Sequence, residues 1–441
     1  MNTSFRDRLA FFSAIALGLG VSTGHSAGII AAAGMPLACL APGKRRAAFH
    51  SAFAYYFAGL WPILPGLNRY FRQSETLFIP LVVWIVGAIL LSVPWTLAWT
   101  SHVSLHSLWR VPLAHLVTIV PPLGIIGVAS PLTAAGYLFP GSSWLGLGAI
   151  ALLPAVFLST PPVDIRRRWV IRCSAIGFCL AVAIGGRVFH RGDVEPPRGW
   201  VAVNTHFGDV SEPFRDFMAA RSIQQQAAAS SARVLVFPEF VVPRWSASTE
   251  AFWRESLDTC RIRGQVLAIG AGLPARAALP GNDPERLSNL RSYDFAAAID
   301  ALRADTPSRF HSRAIPQYRV VQRPVTIDNT LVVIGAESAT YYQRIPVPIG
   351  MWRPLTGTGV PLRLAASGIL SLDHQRAAVL ICYEQMLTFP ILASMLQHPT
   401  VIVGISNTFW VDGTTIPRYQ ATAVRGWARL FGLPYLLAVN S

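Results

Sequence analysis

The chain has 441 residues, 52% hydrophobic and only 13% charged. Soluble domains carry roughly 25% charged residues, so an ordinary soluble enzyme is excluded. Five cysteines in this length exclude a disulfide scaffold, and 11% aromatics without a short repeat exclude collagen, coiled coil and wholesale disorder. The net charge of +15 is uneven: 14 basic and 3 acidic residues run through Arg191, with 23 and 19 beyond it. Most of the excess lies in short loops between apolar runs, which is a topology signal and not a nucleic-acid-binding stripe.

Apolar runs occur at 9–24, 26–41, 48–66, 77–100, 111–139, 144–161 and 169–188. A spanning helix needs about 20 residues, so residues 1–191 read as a polytopic α-helical membrane bundle of about seven spans. The first two runs are short and could instead form a re-entrant pair. With the N-terminus inside, cytoplasmic segments hold Arg6, Arg8, Lys44, Arg45, Arg46, Arg110, Arg166, Arg167 and Arg168. The opposite side holds Arg69, Arg72, Arg187 and Arg191. That bias places residues 192–441 outside the cytoplasm, on a multi-pass protein of a bacterial inner membrane.

Arg6 and Arg8 ahead of an apolar run, with Ser26 and Ala27 after it, also resemble a signal peptide. A first transmembrane helix is the preferred reading, since five or more spans follow. His102 and His106 have the i, i+4 spacing of a metal pair, but no third ligand lies nearby, so they read as loop histidines and no metal is expected. Trp95, Trp99, Trp109 and Trp144 near span ends fit an interfacial belt.

From Gly199 the pattern becomes strand-like runs alternating with polar, helix-like stretches. Segments 200–204, 233–239, 265–272, 329–336, 377–384 and 400–407 read as buried strands, and 212–231, 246–263 and 414–431 as helices. Such alternation predicts an α/β layered domain over 192–441. Segment 275–327, rich in Arg, Pro, Asp and Asn, reads as a surface insertion.

Glu239 ends one predicted strand and Cys382 another. A carboxylate beside a thiol suggests a nucleophile with a general base. Each residue alone more often means something plainer, an inert core thiol or a solvated cap.

Their surroundings shift the balance. LVFPEF at 235–240, the run from Tyr341 to Gly350, ICYE at 381–384 and SNTFW at 406–410, followed by Arg425 and Arg429, occur in a fixed order. This order resembles the nitrilase (carbon–nitrogen hydrolase) superfamily, most closely apolipoprotein N-acyltransferase, in which a transmembrane bundle precedes an exported αββα sandwich. Lengths and the sequence FPEFVVPRW also resemble the TraB-type conjugal transfer proteins of rhizobial and agrobacterial plasmids. The resemblance implies Glu239 as base and Cys382 as nucleophile of a Glu–Lys–Cys triad that carries an acyl group from phospholipid as a thioester. It further implies Tyr383, Glu384, Asn407, Phe409 and Trp410 around the substrate, and no cofactor.

The triad lysine is missing. The family's Tyr-x-Lys-x-x-x-Val-Pro-x-Gly-Glu falls on Tyr341, Gln343, Val347, Pro348, Gly350 and Met351, and Lys44 is the chain's only lysine. Gln343 can donate a neutral hydrogen bond but cannot lower a thiol pKa as a cation would. In an extended segment Arg344 should face away from Gln343. The chain also ends at Ser441 where the family continues, so the final strand's edge would need a cover. Three readings follow: an accessory conjugation protein with a degenerate acyltransferase-like domain, an active N-acyltransferase or amidase, or a structural membrane scaffold. The partners to expect are membrane phospholipid and lipoprotein or conjugation-apparatus proteins, with no direct nucleic-acid contact.

Overall fold

A computed structural model describes residues 3–70, 78–101, 108–158, 165–189, 192–210, 213–274, 327–353 and 358–441. The predicted insertion at 275–327, apart from Ile327, lies outside the described residues, as do His102 and His106.

The apolar half is helical. Its elements are α1 (Thr3–Ser22), α2 (Ser26–Ala31), α3 (Met35–Leu40), α4 (Arg45–Leu60), α5 (Ile63–Tyr70), α6 (Phe78–Ala98), α7 (Arg110–Ile119), α8 (Ala135–Leu138), α9 (Trp144–Leu158) and α10 (Ile165–Phe189). Among the described residues two helices are long and apolar enough to cross a membrane, α6 and the Trp169–Val188 stretch of α10. The run 26–41 is broken into two short helices joined by a 3₁₀ turn at Ala32–Gly34. The run 111–139 stops being α-helical at Ile119, just before Pro121 and Pro122, which cannot donate helical hydrogen bonds. Composition announced both runs as apolar but could not show where the helices break.

The second half forms two facing sheets. The first has the order β1 (Trp200–Ala202), β2 (Val234–Val236), β3 (Val266–Pro274), β4 (Ile327–Gly335), β5 (Ala339–Tyr342). Strands β1–β3 are parallel, and β4 and β5 add antiparallel. A two-stranded ribbon, β6 (Trp352–Arg353) and β7 (Thr358–Gly359), stands apart. The other large sheet runs β11 (Tyr435–Asn440), β10 (Val401–Asn407), β9 (Gln375–Ile381), β8 (Ile369–Leu372), again parallel with an antiparallel edge.

Val234, Val236 and Ala268 of one sheet share a buried core with Val379, Ile381 and Val403 of the other. The outer face of the first sheet is covered by α11 (Pro213–Ala229) and α12 (Ala247–Ile262), through Ile223, Trp253 and Leu257. The outer face of the second is covered by α13 (Thr388–Met395) and α14 (Ile416–Phe431), through Ile391 and Trp427. These are the four layers of an αββα sandwich. The edge of β11 is covered from inside the domain: Thr205 donates to the Val439 carbonyl (2.9 Å) and accepts from Ser441 N–H (3.1 Å).

The halves meet at α14. Its Ile416, Tyr419 and Ala423 enter the core of the N-terminal helices, while Val424 and Leu430 pack with Leu132 and Ile150. A Cβ on Gly136 would lie 1.7 Å from the Gly426 carbonyl oxygen, so α8 crosses α14 with the two backbones in contact. Tyr137 Oη donates to the Thr422 carbonyl (2.7 Å) at the same crossing.

Candidate active site

Three parallel strands end at one place. Glu239 follows β2, Cys382 follows β9 and Asn407 ends β10. Carboxyl ends of parallel strands are where such sheets leave a crevice. Gln343 arrives from the first sheet immediately after β5. Gly270 on β3 lets the Glu239 segment settle, since a Cβ there would sit 2.1 Å from the Pro238 carbonyl oxygen.

The Glu239 carboxylate accepts from three donors: Asn329 Nδ2 (2.6 Å), the Asn407 N–H (2.8 Å) and the Cys382 thiol. Glu239 is 4% exposed and Cys382 also 4%, so water screens neither. Burial pushes the Glu239 carboxyl up to about 7, although the three hydrogen bonds favour its anion. Burial, then the Glu239 charge, pushes the Cys382 thiol well above its ordinary value. Two neutral donors oppose that rise, the Asn407 N–H and the Gln420 carboxamide. Cys382 itself has φ +50°, a left-handed conformation unusual for a side chain of this type. Gln420 Nε2 holds its carbonyl at 3.0 Å and lies 4.0 Å from Sγ.

Gln343 is fully buried and belongs to the same cluster. Its Oε1 accepts from Asn329 Nδ2 (2.9 Å), and its Nε2 donates to the Ile381 carbonyl (3.1 Å). Asn329 therefore ties Glu239 to Gln343. Arg344 faces elsewhere, with Nε 3.7 Å from Glu384 Oε1. Glu384 accepts from the N–H groups of Arg344 (2.8 Å), Ile345 (3.0 Å) and Ile381 (2.9 Å), and so pins the segments carrying Gln343 and Cys382.

Cys382 is among the walls of an apolar cavity of about 70 Å³. Tyr383, Trp410 and Gln420 line it from the sandwich, and Trp84, Gly87 and Leu60 from the N-terminal helices. Of the residues the resemblance implied around substrate, Tyr383 and Trp410 line this space, whereas Glu384, Asn407 and Phe409 are not among its walls. The Tyr383 hydroxyl donates to the Ile125 carbonyl (2.9 Å), and the Asn407 side chain accepts from Asn440 Nδ2 (3.0 Å). Arg425 and Arg429 lie at the junction of the halves: Arg425 pairs with Asp193 (2.8 Å), and Arg429 stands over the Tyr137 ring.

Sequence reasoning missed Asn329 and Gln420. Each had a signal: a polar residue opening an apolar strand, and a glutamine on the helix face carrying Ile416, Ala423 and Trp427.

No family model matches the chain. A conjugal transfer protein TraB of Agrobacterium fabrum is 31% identical over 354 residues, 76% of this chain and 68% of that protein. The chain belongs to the TraB family of conjugal transfer proteins. A probable TraB of Sinorhizobium fredii is 27% identical over 451 residues, 99% of this chain and 98% of its own length. Among solved structures, an amidase from Nesterenkonia sp. is 14% identical, covering 55% of this chain and 74% of its own, with a TM-score of 0.30. A variant of the Nesterenkonia AN1 amidase, from the nitrilase superfamily, is 15% identical over 55% of this chain and 78% of its own, with a TM-score of 0.28.

The arrangement can do thiol chemistry. Glu239 is placed to take the Cys382 proton directly, which is what a thiol nucleophile needs from a general base. Alkylation of Cys382 by iodoacetamide should be slow at neutral pH. It should rise through about pH 7 as Glu239 becomes an available base, and again in alkali as the thiol ionises. A rate that does not change across pH 6–8 and is unaltered by Glu239→Gln would remove Glu239 from the role of base.

Proposed function

We propose that the chain is a multi-pass inner-membrane accessory protein of plasmid conjugal transfer whose exported domain is a degenerate N-acyltransferase. The role in transfer is inferred from its TraB relatives. Membrane embedding is supported by the surface of α6, where Ile85, Val86, Ile89, Leu90, Val93 and Leu97 are each 39–66% exposed, a face that water would not favour. Arginine and lysine asymmetry supports the export of residues 192–441 and the seven-span topology. Alkaline phosphatase fused after Glu195 should accordingly be active.

The carrying observation is Gln343. The Glu–Cys pair is retained, but the third position holds a neutral carboxamide whose oxygen accepts from Asn329 and whose nitrogen donates to the Ile381 carbonyl. Among the described residues no positive charge offsets the burial of the thiol, so turnover by a thioester route should be slow. The test is conjugation frequency in a deletion strain complemented with wild type or Cys382→Ala. Equal transfer is expected, and a fall to the level of the deletion would show that the thiol's chemistry is the function. That second reading, an active acyltransferase with lipoprotein as acceptor, draws support from the apolar cavity that Cys382 helps to line. A purely structural scaffold would predict equal transfer too, and differs in expecting no labelling of Cys382 by acyl probes.

A further inference from the structure

The outer face of α4 carries a pattern that the catalytic reading does not use. Arg46, His50, Phe53, Phe57 and Trp61 recur at helical spacing along one stripe. At the start of the helix, Arg45, Arg46 and His50 line a hollow of about 390 Å³ with Phe49 and Thr96. Its walls offer donors and no carboxylate among the described residues. Asp7 on α1 is turned to the Gly43 N–H (2.7 Å). Arg45 is steadied over the Trp99 ring, 6.0 Å from its centroid, and Trp99 donates to the Pro42 carbonyl (2.8 Å).

From this basic end an aromatic ladder runs down α4. Phe49 stacks on Phe53 (6.2 Å), Phe53 meets Phe57 (5.3 Å) and Phe57 stacks on Trp84 of α6 (3.9 Å). The lower rungs wall a wholly apolar groove of about 470 Å³, closed on its other side by Phe11, Ile15 and Leu19 of α1. By helical rise, Arg46 to Phe57 spans about 16 Å, close to one leaflet's half of a ~30 Å hydrocarbon core.

We propose that this face of α4 is a binding site for one acidic phospholipid, its phosphate held by Arg45, Arg46 and His50 and an acyl chain lying along Phe49, Phe53, Phe57 and Trp84. The occupant follows from complementarity: an anionic oxygen head for the donor-only hollow, and a chain of one leaflet's length for the groove. Basic hollows at helix ends recognise acidic headgroups in this way. The groove and the Cys382 cavity share only Trp84 among their walls, and the basic hollow shares none with that cavity. It rests on the membrane reading proposed above.

The experiment is native mass spectrometry of the full chain purified in detergent and titrated with phosphatidylglycerol, phosphatidylethanolamine or inorganic phosphate. Phosphatidylglycerol should bind in preference to phosphatidylethanolamine. Replacing Arg45 and Arg46 together by glutamine should weaken it about 30-fold, at about fivefold per basic residue. Thr96→Phe, which keeps every charge and fills the hollow, should also abolish the preference. Equal binding of the two lipids, indifference to both variants, or displacement of the lipid by inorganic phosphate would overturn the site. A chain released from membranes by alkaline carbonate would instead overturn the membrane reading, and the site with it.

Discussion

Replacing Glu384 with alanine should destabilise the α/β sandwich domain by about 3–5 kcal/mol, the cost of breaking a buried ion pair from one side. Glu384 is 0% exposed and Arg344 3% exposed, so neither group can turn to water when its partner is lost. The carboxylate also fills three backbone N–H groups, those of Arg344, Ile345 and Ile381. Arg344 is already short of partners, with Nε and one terminal nitrogen buried and without a hydrogen bond. Removing Glu384 leaves a buried guanidinium and three orphan donors where a connection between the two sheets had been. Glu384→Gln keeps one acceptor oxygen and should cost less. Thermal denaturation in detergent measures both, and a loss under about 1 kcal/mol for alanine would show that the hub adds no more than a surface pair does.

The resemblance pointed to Glu384 as a residue near substrate, and the structure shows it fixing the chain on either side of the site. Sequence order alone cannot separate these roles, because an acid two residues past a nucleophile is close to both. Gln343 and Arg344 show the opposite case. Alternation in an extended segment predicts that neighbours face apart, and the structure has Gln343 on Asn329 while Arg344 turns to Glu384. Local geometry carried that inference; distant pairing did not enter.

The longer strands and helices of the sandwich were readable from runs of Val, Leu and Ile and from helical spacing. Strands β5 to β8, two to four residues long, were not, because a pattern of period 2 needs more residues to show itself. Asn329 was hidden within a strand otherwise read as core. In the apolar half the composition announced burial in something other than water, yet seven apolar runs gave two helices of spanning length among the described residues. Prolines and glycines break two of the other runs, 26–41 and 111–139, since hydropathy averages across a break that the backbone must obey.

Restoring the cation is the sharpest test of the catalytic reading. Gln343→Lys should raise labelling of Cys382 at neutral pH by about 10²–10³-fold, the scale on which a transition-state donor acts. An ammonium at this place would have the Ile381 carbonyl and the Glu239 carboxylate as partners, the two groups that Gln343 now reaches directly and through Asn329. It would lower both the thiol and the Glu239 carboxyl, because each anion would gain an adjacent positive charge. The rise in labelling should therefore move to lower pH, below the value of about 7 set by burial of Glu239 in the wild type. Gln343→Met, similar in length and uncharged, separates charge from packing: it should label no faster than wild type. A lysine variant that folds, shown by an unchanged melting midpoint, yet labels at the wild-type rate would place the defect elsewhere, with Met351 at the family's second glutamate as the next position to change. Wild-type labelling already as fast as the lysine variant would mean that neutral donors from Asn407 and Gln420 suffice, and the degenerate-enzyme reading would fall.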